Sequence, residues 1–200
     1  MNTLEPIPNV TIPVGAIGDF RIERFTITED QARLENMLSA FRASRRYVEA
    51  GEYTRLMRGE TCVMSDTPSE KSDHREAVRK ASGFILINGL GIGMVLNACL
   101  SKPEVTRAIV VEISREVIDL IGPYYQAKFG PRVEIVHADA LTYQPPKGVR
   151  FGMVWHDIWD NICSDNLEQM ATLHRRYGRR AEWQGSWCKE LCQYYRSHSR

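Results

Sequence analysis

Apolar and polar positions change their rhythm near residue 84. Before it the pattern is mixed. Residues 1–18 carry three prolines and two glycines and read as an irregular or extended arm. Phe20, Ile22 and Phe25 predict a strand over 19–27. Thr28-Glu-Asp-Gln31 has the spacing of a capping box, in which hydroxyl and amide satisfy each other's free backbone donors. Leu34, Met37, Leu38, Phe41 and Val48 follow near helical spacing, and Gly51 is placed to end that helix. Segments 52–57 and 60–65 flank Arg58-Gly59 and predict a hairpin. Thr67-Pro-Ser-Glu70 is a second capping box, opening a helix expected to reach about Ala81.

From residue 84 onward short apolar runs alternate with helical patterns. Strands are predicted at 84–88, 107–112, 133–137 and 151–156. Helices are predicted at 93–101, at 115–129 with a break or kink near Gly122-Pro123, and at 165–177. Short apolar strands joined by helices imply a parallel sheet covered on both faces. Beyond Tyr177 no clear strand is legible, and 182–195 reads as a terminal helix carrying Trp183 and Trp187 at i,i+4. The sheet is therefore expected to stop at four or five strands. Its open edge would be covered by the amino-terminal segment, the terminal helix or a second subunit, which makes a homodimer the expected assembly.

The chemistry concentrates at the ends of these strands. Phe84 to Ile87 reads as a buried strand, and Gly89, Gly91 and Gly93 follow before a helix opening at Met94. A glycine-rich turn there lets backbone approach a ligand closely. Ligands of parallel sheets bind at the carboxyl ends of strands. The second strand ends in Glu112, suited to accept hydrogen bonds from ribose hydroxyls, the third in Asp139, and the fourth in Asp157 with Asp160 beyond it. Met94 stands where a dinucleotide fingerprint needs glycine or alanine, which argues against NAD. An acid after the third strand suits an adenine amine, and one after the fourth faces the transfer site.

Residues 84–163 resemble a class I S-adenosylmethionine-dependent methyltransferase core, in its spermidine-synthase-like branch. The resemblance rests on Ile87-Asn-Gly-Leu-Gly-Ile-Gly93, Val110-Val-Glu-Ile113, His137-Ala-Asp-Ala140 and Trp155-His-Asp-Ile-Trp-Asp160. It implies an α/β three-layer Rossmann-like sandwich over 84–200, with a small α+β appendage over 1–83. The resemblance also implies that Asn88, Gly89, Leu90, Gly91 and Gly93 pack against the donor's methionine part. Glu112 and Ile113 would then hold the ribose, and Asp139 and Ala140 would approach the adenine. Asp157 would touch the donor and, with Asp160, carry catalysis by orienting and deprotonating the acceptor. Asn88 departs from the aspartate or glycine common in the family, and no acidic pocket for a polyamine is legible beyond Asp160.

Composition narrows the classes. The 26 basic and 25 acidic residues nearly cancel, so charge favours neither nucleic acid nor an anionic membrane. No segment reads as a signal peptide or a membrane span, and five scattered cysteines fit a reduced, cytoplasmic setting without a metal-ligand spacing. Trp159 is the tryptophan best placed to stack on an acceptor, while His156, adjoining Asp157, should point to the opposite sheet face. Cys163 lacks a partner histidine, and the basic residues at 174–176 and 179–180 read as a helix carboxyl cap. The expected function is methyl transfer from S-adenosyl-L-methionine to a small molecule or a protein side chain, with no metal. Aminopropyl transfer is one alternative, and a non-catalytic nucleotide-binding or interaction subunit is another.

Overall fold

A computed structural model describes residues 7–41 and 47–198. Two sheets organise it. The first is antiparallel, in the order β1 (Gly15–Ile17), β2 (Phe20–Ile27), β3 (Gly51–Arg58) and β4 (Thr61–Ser65). Helix α1 (Glu29–Phe41) leaves β2 through the expected capping box: Thr28 N donates to Gln31 Oε1 at 2.9 Å, and Gln31 N to Thr28 Oγ1 at 3.3 Å. That helix is shorter than its apolar spacing predicts. Leu34 and Met37 are about half exposed, so the stripe is not a core face, and Val48 lies outside it, its backbone bracketed by the Asn36 amide. Residues 42–46 of the predicted helix lie outside the described residues.

Helix α2 (Pro68–Lys80) follows the hairpin, but its predicted capping box does not form. The Thr67 hydroxyl pairs with Ser65 Oγ at 3.1 Å instead. Next come β5 (Gly83–Asn88), α3 (Met94–Leu100), β6 (Val105–Glu112), α4 (Arg115–Phe129), β7 (Val133–His137), β8 (Phe151–His156), α5 (Asn166–Tyr177), β9 (Ala181–Ser186) and α6 (Lys189–His198). Helix α4 runs through Pro123 as one element, because Val117, Ile121 and Tyr125 are buried and hold it on both sides of the missing N–H. Among the described residues no helix is long and apolar enough to cross a membrane.

The second sheet is wholly parallel, in the order β7-β6-β5-β8-β9. Its three central strands, β6, β5 and β8, are largely buried on both faces, as a parallel sheet covered by helices requires. Ile85, Ile87, Ala108 and Val110 join the core beneath α2, α3 and α4, while Leu86, Ile109 and Val111 join a second core with Leu173 and Tyr177 of α5. The result is an α/β three-layer sandwich with a separate antiparallel sheet.

The carboxyl-terminal prediction is corrected in one respect. Residues 181–186 form a fifth strand, not the start of a helix, and α6 begins only at Lys189. Trp183 therefore lies on β9, stacked on Trp155 at 6.2 Å and 10°, over Gly185. The strand was illegible because it is an edge with polar positions: Glu182 is exposed, and Gln184 is held by a hydrogen bond to the His174 carbonyl of α5 instead of by apolar packing.

Candidate active site

Strand order reverses between β5 and β8, where the connections leave in opposite directions. A cavity of about 350 Å³ opens there at the carboxyl ends of the strands. This is the place and size expected of a ligand site in a doubly wound sheet. The glycine turn after β5 forms one wall and is sterically committed to it. Gly89 has φ +98°, and a Cβ there would stand 2.0 Å from the carbonyl oxygen of Asp157. Gly93 has φ +71°, and a Cβ there would strike the Tyr125 ring at 2.0 Å. The turn can pack this closely only without side chains.

Glu112 ends β6 and ties the turn down. Its carboxylate accepts the Leu90 N–H at 2.8 Å and the Ser114 N–H at 2.9 Å. Each oxygen keeps lone-pair capacity for a ligand, since an ionised carboxylate offers about four acceptor sites. Asp139, beyond β7, accepts the Leu141 N–H at 2.8 Å, with Ala140 buried beside it. Asp157, beyond β8, stands on different terms. Among the described residues no hydrogen bond reaches its carboxyl oxygens, and its side chain is 16% exposed. Burial raises its pKa well above the usual carboxylate range, and Glu70, Asp73, Glu112 and Asp160 push it further the same way.

Gly89, Gly91, Glu112, Ile113, Asp139, Ala140, Asp157 and Asp160 all border the cavity. Asn88, Leu90 and Gly93 do not. The Asn88 side chain is fully buried on the α5 face, with Nδ2 2.7 Å from His156 Nδ1. Leu90 acts through its amide alone, and Gly93 packs on Tyr125. His156 follows strand alternation onto that α5 face, beside His174 and Tyr177, where burial lowers its pKa to about 3. Trp159 borders the cavity with its indole N–H donated to Gln169 Oε1 at 2.7 Å.

Several lining residues come from the antiparallel sheet and α2 and were not recognised from sequence. Phe20, Leu56 and Met64 form an apolar wall, and Arg58 pairs with Asp160 across the rim. Glu70 adds a fifth carboxylate, and Asp73 of the same helix, outside the lining, is near enough to act on Asp157. Arg58 is the single Lys, Arg or His among the described lining residues, against Glu70, Glu112, Asp139, Asp157 and Asp160. An acid-rich pocket therefore exists, assembled by a helix whose contribution the linear sequence hides. Apolar walls interspersed with carboxylates suit a ligand that combines a flat apolar part with cationic groups.

No family profile matches the chain. Over 135 residues the chain is 27% identical to a polyamine aminopropyltransferase of Pyrobaculum calidifontis, covering 60% of this chain and 47% of that protein. Over 96 residues it is 31% identical to the polyamine aminopropyltransferase of Pyrobaculum arsenaticum, covering 44% of this chain and 33% of that one. The chain thus spans half or less of the curated relatives it matches. Among solved structures, spermidine synthase from Thermotoga maritima aligns with 82% of this chain and 52% of its own, at 20% identity and a TM-score of 0.45. The sequence relatives fall in the branch that the glycine turn and the strand-end acids resemble.

Proposed function

We propose that the protein transfers an alkyl group from an adenosyl sulfonium donor to an amine. The observation that carries this reading is the division of labour around one cavity. Glu112 and Asp139, held by backbone amides, sit at the β6 and β7 ends, and a desolvated Asp157 sits at the β8 end among further acids. The residues fit such a donor: the turn at Gly89 leaves no room for a side chain, and Glu112 retains acceptor capacity for two ribose hydroxyls.

The donor supplies a carbon activated by its positive sulfur. Attack by the acceptor nitrogen forms the new C–N bond as the C–S bond breaks, and a thioether leaves. The nitrogen's surplus proton passes to Asp157. A carboxyl whose pKa is raised toward the working pH is better suited to that task than an ordinary one. Glu70 and Asp160 would hold the remaining cationic end of the acceptor.

Charge separates two donors. S-adenosyl-L-methionine carries a carboxylate, whereas its decarboxylated form carries only positive groups on the tail. A cavity with five acids, whose one cation is already paired, favours the decarboxylated donor and hence aminopropyl transfer. The names of the sequence relatives support the same choice. Methylation of an amine by S-adenosyl-L-methionine is the second reading, supported by the fold class and by the same acids.

The test is mass-spectrometric product analysis with each donor and a panel of mono- and diamines. An acceptor gain of one aminopropyl group from the decarboxylated donor is expected. A gain of one methyl group from S-adenosyl-L-methionine alone would replace the first reading with the second. No transfer from either donor would refute both.

A further inference from the structure

His74 is placed where an apolar residue belongs. Helix α2 turns the stripe His74, Ala77, Val78 and Ala81 toward the sheet, the spacing of a core-facing helix. Ala77 and Ala81 are fully buried in that stripe, and His74 is fully buried with them, edge-on to Trp155 at 5.8 Å and 79°. Among the described residues neither of its ring nitrogens has a hydrogen-bond partner. Buried polar atoms are rarely left in that condition without a reason. Its Nε2 stands 3.8 Å from Asp157 Oδ2.

We infer that His74 is a positioning residue for Asp157, its Nε2–H fixing the carboxyl in the orientation that receives the acceptor's proton; this rests on the proton-accepting role read for Asp157 above. The neutral imidazole suits the role. Burial lowers the His74 pKa to about 4, so near neutral pH the ring carries one N–H and no charge. A neutral donor can orient a carboxylate without neutralising it, whereas an imidazolium would draw its pKa back down. The distance is longer than a formed hydrogen bond. Carboxyl movement of about 1 Å closes it to the ordinary N–H···O range. The carboxylates that act on Asp157 (Glu70, Asp73, Glu112 and Asp160) all repel it, and the His74 N–H, 3.8 Å away, is the donor placed to oppose them.

The geometry distinguishes this role from packing. A leucine at 74 would fill the space without a donor, while a glutamine would restore an N–H on a chain of similar reach. His74→Leu is expected to lower kcat about tenfold to hundredfold, the usual cost of losing a group that orients a reacting one. Acceptor KM and donor affinity should stay within about threefold, and His74→Gln should recover most of kcat. Full kcat in His74→Leu, or equal losses in the Leu and Gln variants, would overturn the inference. A second measurement stands apart from turnover. Nitrogen chemical shifts of the His74 ring should report the Nε2–H tautomer near pH 7.5, and Asp157→Ala should move the Nε2 resonance. An Nδ1–H tautomer, or a ring indifferent to Asp157→Ala, would refute the pairing. If no amine is alkylated by the unaltered protein, the proposed reaction falls, and the shifts alone decide whether His74 and Asp157 are coupled.

Discussion

Glu112 and Asp157 face one another across a single cavity at the ends of neighbouring parts of one sheet, yet their surroundings are opposite. The Glu112 carboxylate takes two backbone N–H groups within 2.9 Å and is fixed by them. Asp157 takes none among the described residues, is largely buried, and is crowded by like charge. Backbone donors satisfy and immobilise a carboxylate, which suits a group that must hold a ligand in one place. Desolvation among acids destabilises the ionised form, which suits a group that must take up a proton. Two acids that look alike in sequence are thus separated by environment in the way the proposed binding role of Glu112 and proton-accepting role of Asp157 require.

The sharpest way to break this contrast is to remove the titrating oxygen. Asp157→Asn keeps the shape and loses the base. Turnover should fall by about 10²–10⁴, the usual worth of a general base, while donor affinity measured by calorimetry stays within about threefold. Retained turnover in that variant would leave Asp157 with no chemical role. Glu112→Ala should behave in the opposite sense. Donor affinity should weaken by about 1.5–3 kcal/mol, or roughly tenfold to a hundredfold, with a smaller change in saturated turnover. Part of that loss is indirect, because the Leu90 and Ser114 amides lose their acceptor and the turn loosens. Glu112→Gln, which keeps one carbonyl oxygen, should lie between the two.

How much of this was legible depends on whether the signal was local. Strands β5 to β8 stood out because a parallel sheet is covered on both faces, so their apolar runs are continuous. The strand-end acids followed directly, since a strand's end fixes where the next residues emerge. Strand β9 was missed because an edge strand can carry polar residues such as Glu182 and Gln184, and Trp183 with Trp187 just beyond the strand mimicked a helical pair. Leu34 and Met37 misled in the other direction: their spacing is helical, but nothing among the described residues covers them. Glu70 was the instructive failure. Its spacing from Thr67 matches a capping box, yet the cap hydroxyl turns to Ser65 and the carboxylate faces the cavity. His74 had a local signal, a histidine in phase with Ala77, Val78 and Ala81, but only packing reveals that Asp157 waits opposite it.

The smallest effect tests the electrostatic half of the contrast without any substrate. The folded-state pKa of Asp157 lies above its unfolded value of about 3.9. Below about pH 4 the carboxyl is protonated in both states, so it imposes no penalty on folding. As pH rises through the folded pKa, the unfolded chain releases this proton more readily than the native one, and the native state loses stability relative to it. Asp157→Asn removes the titration while keeping the volume. The variant should therefore be the more stable protein at pH 8, with a Tm gain on the order of 2–4 °C if the relief is about 1 kcal/mol. That gain should shrink as pH is lowered toward 4. Urea unfolding of both proteins at several pH values reads the difference directly. A gain independent of pH would assign the stabilisation to packing, and a loss at pH 8 would mean that the native state stabilises the ionised Asp157 on balance and that the contrast with Glu112 is false.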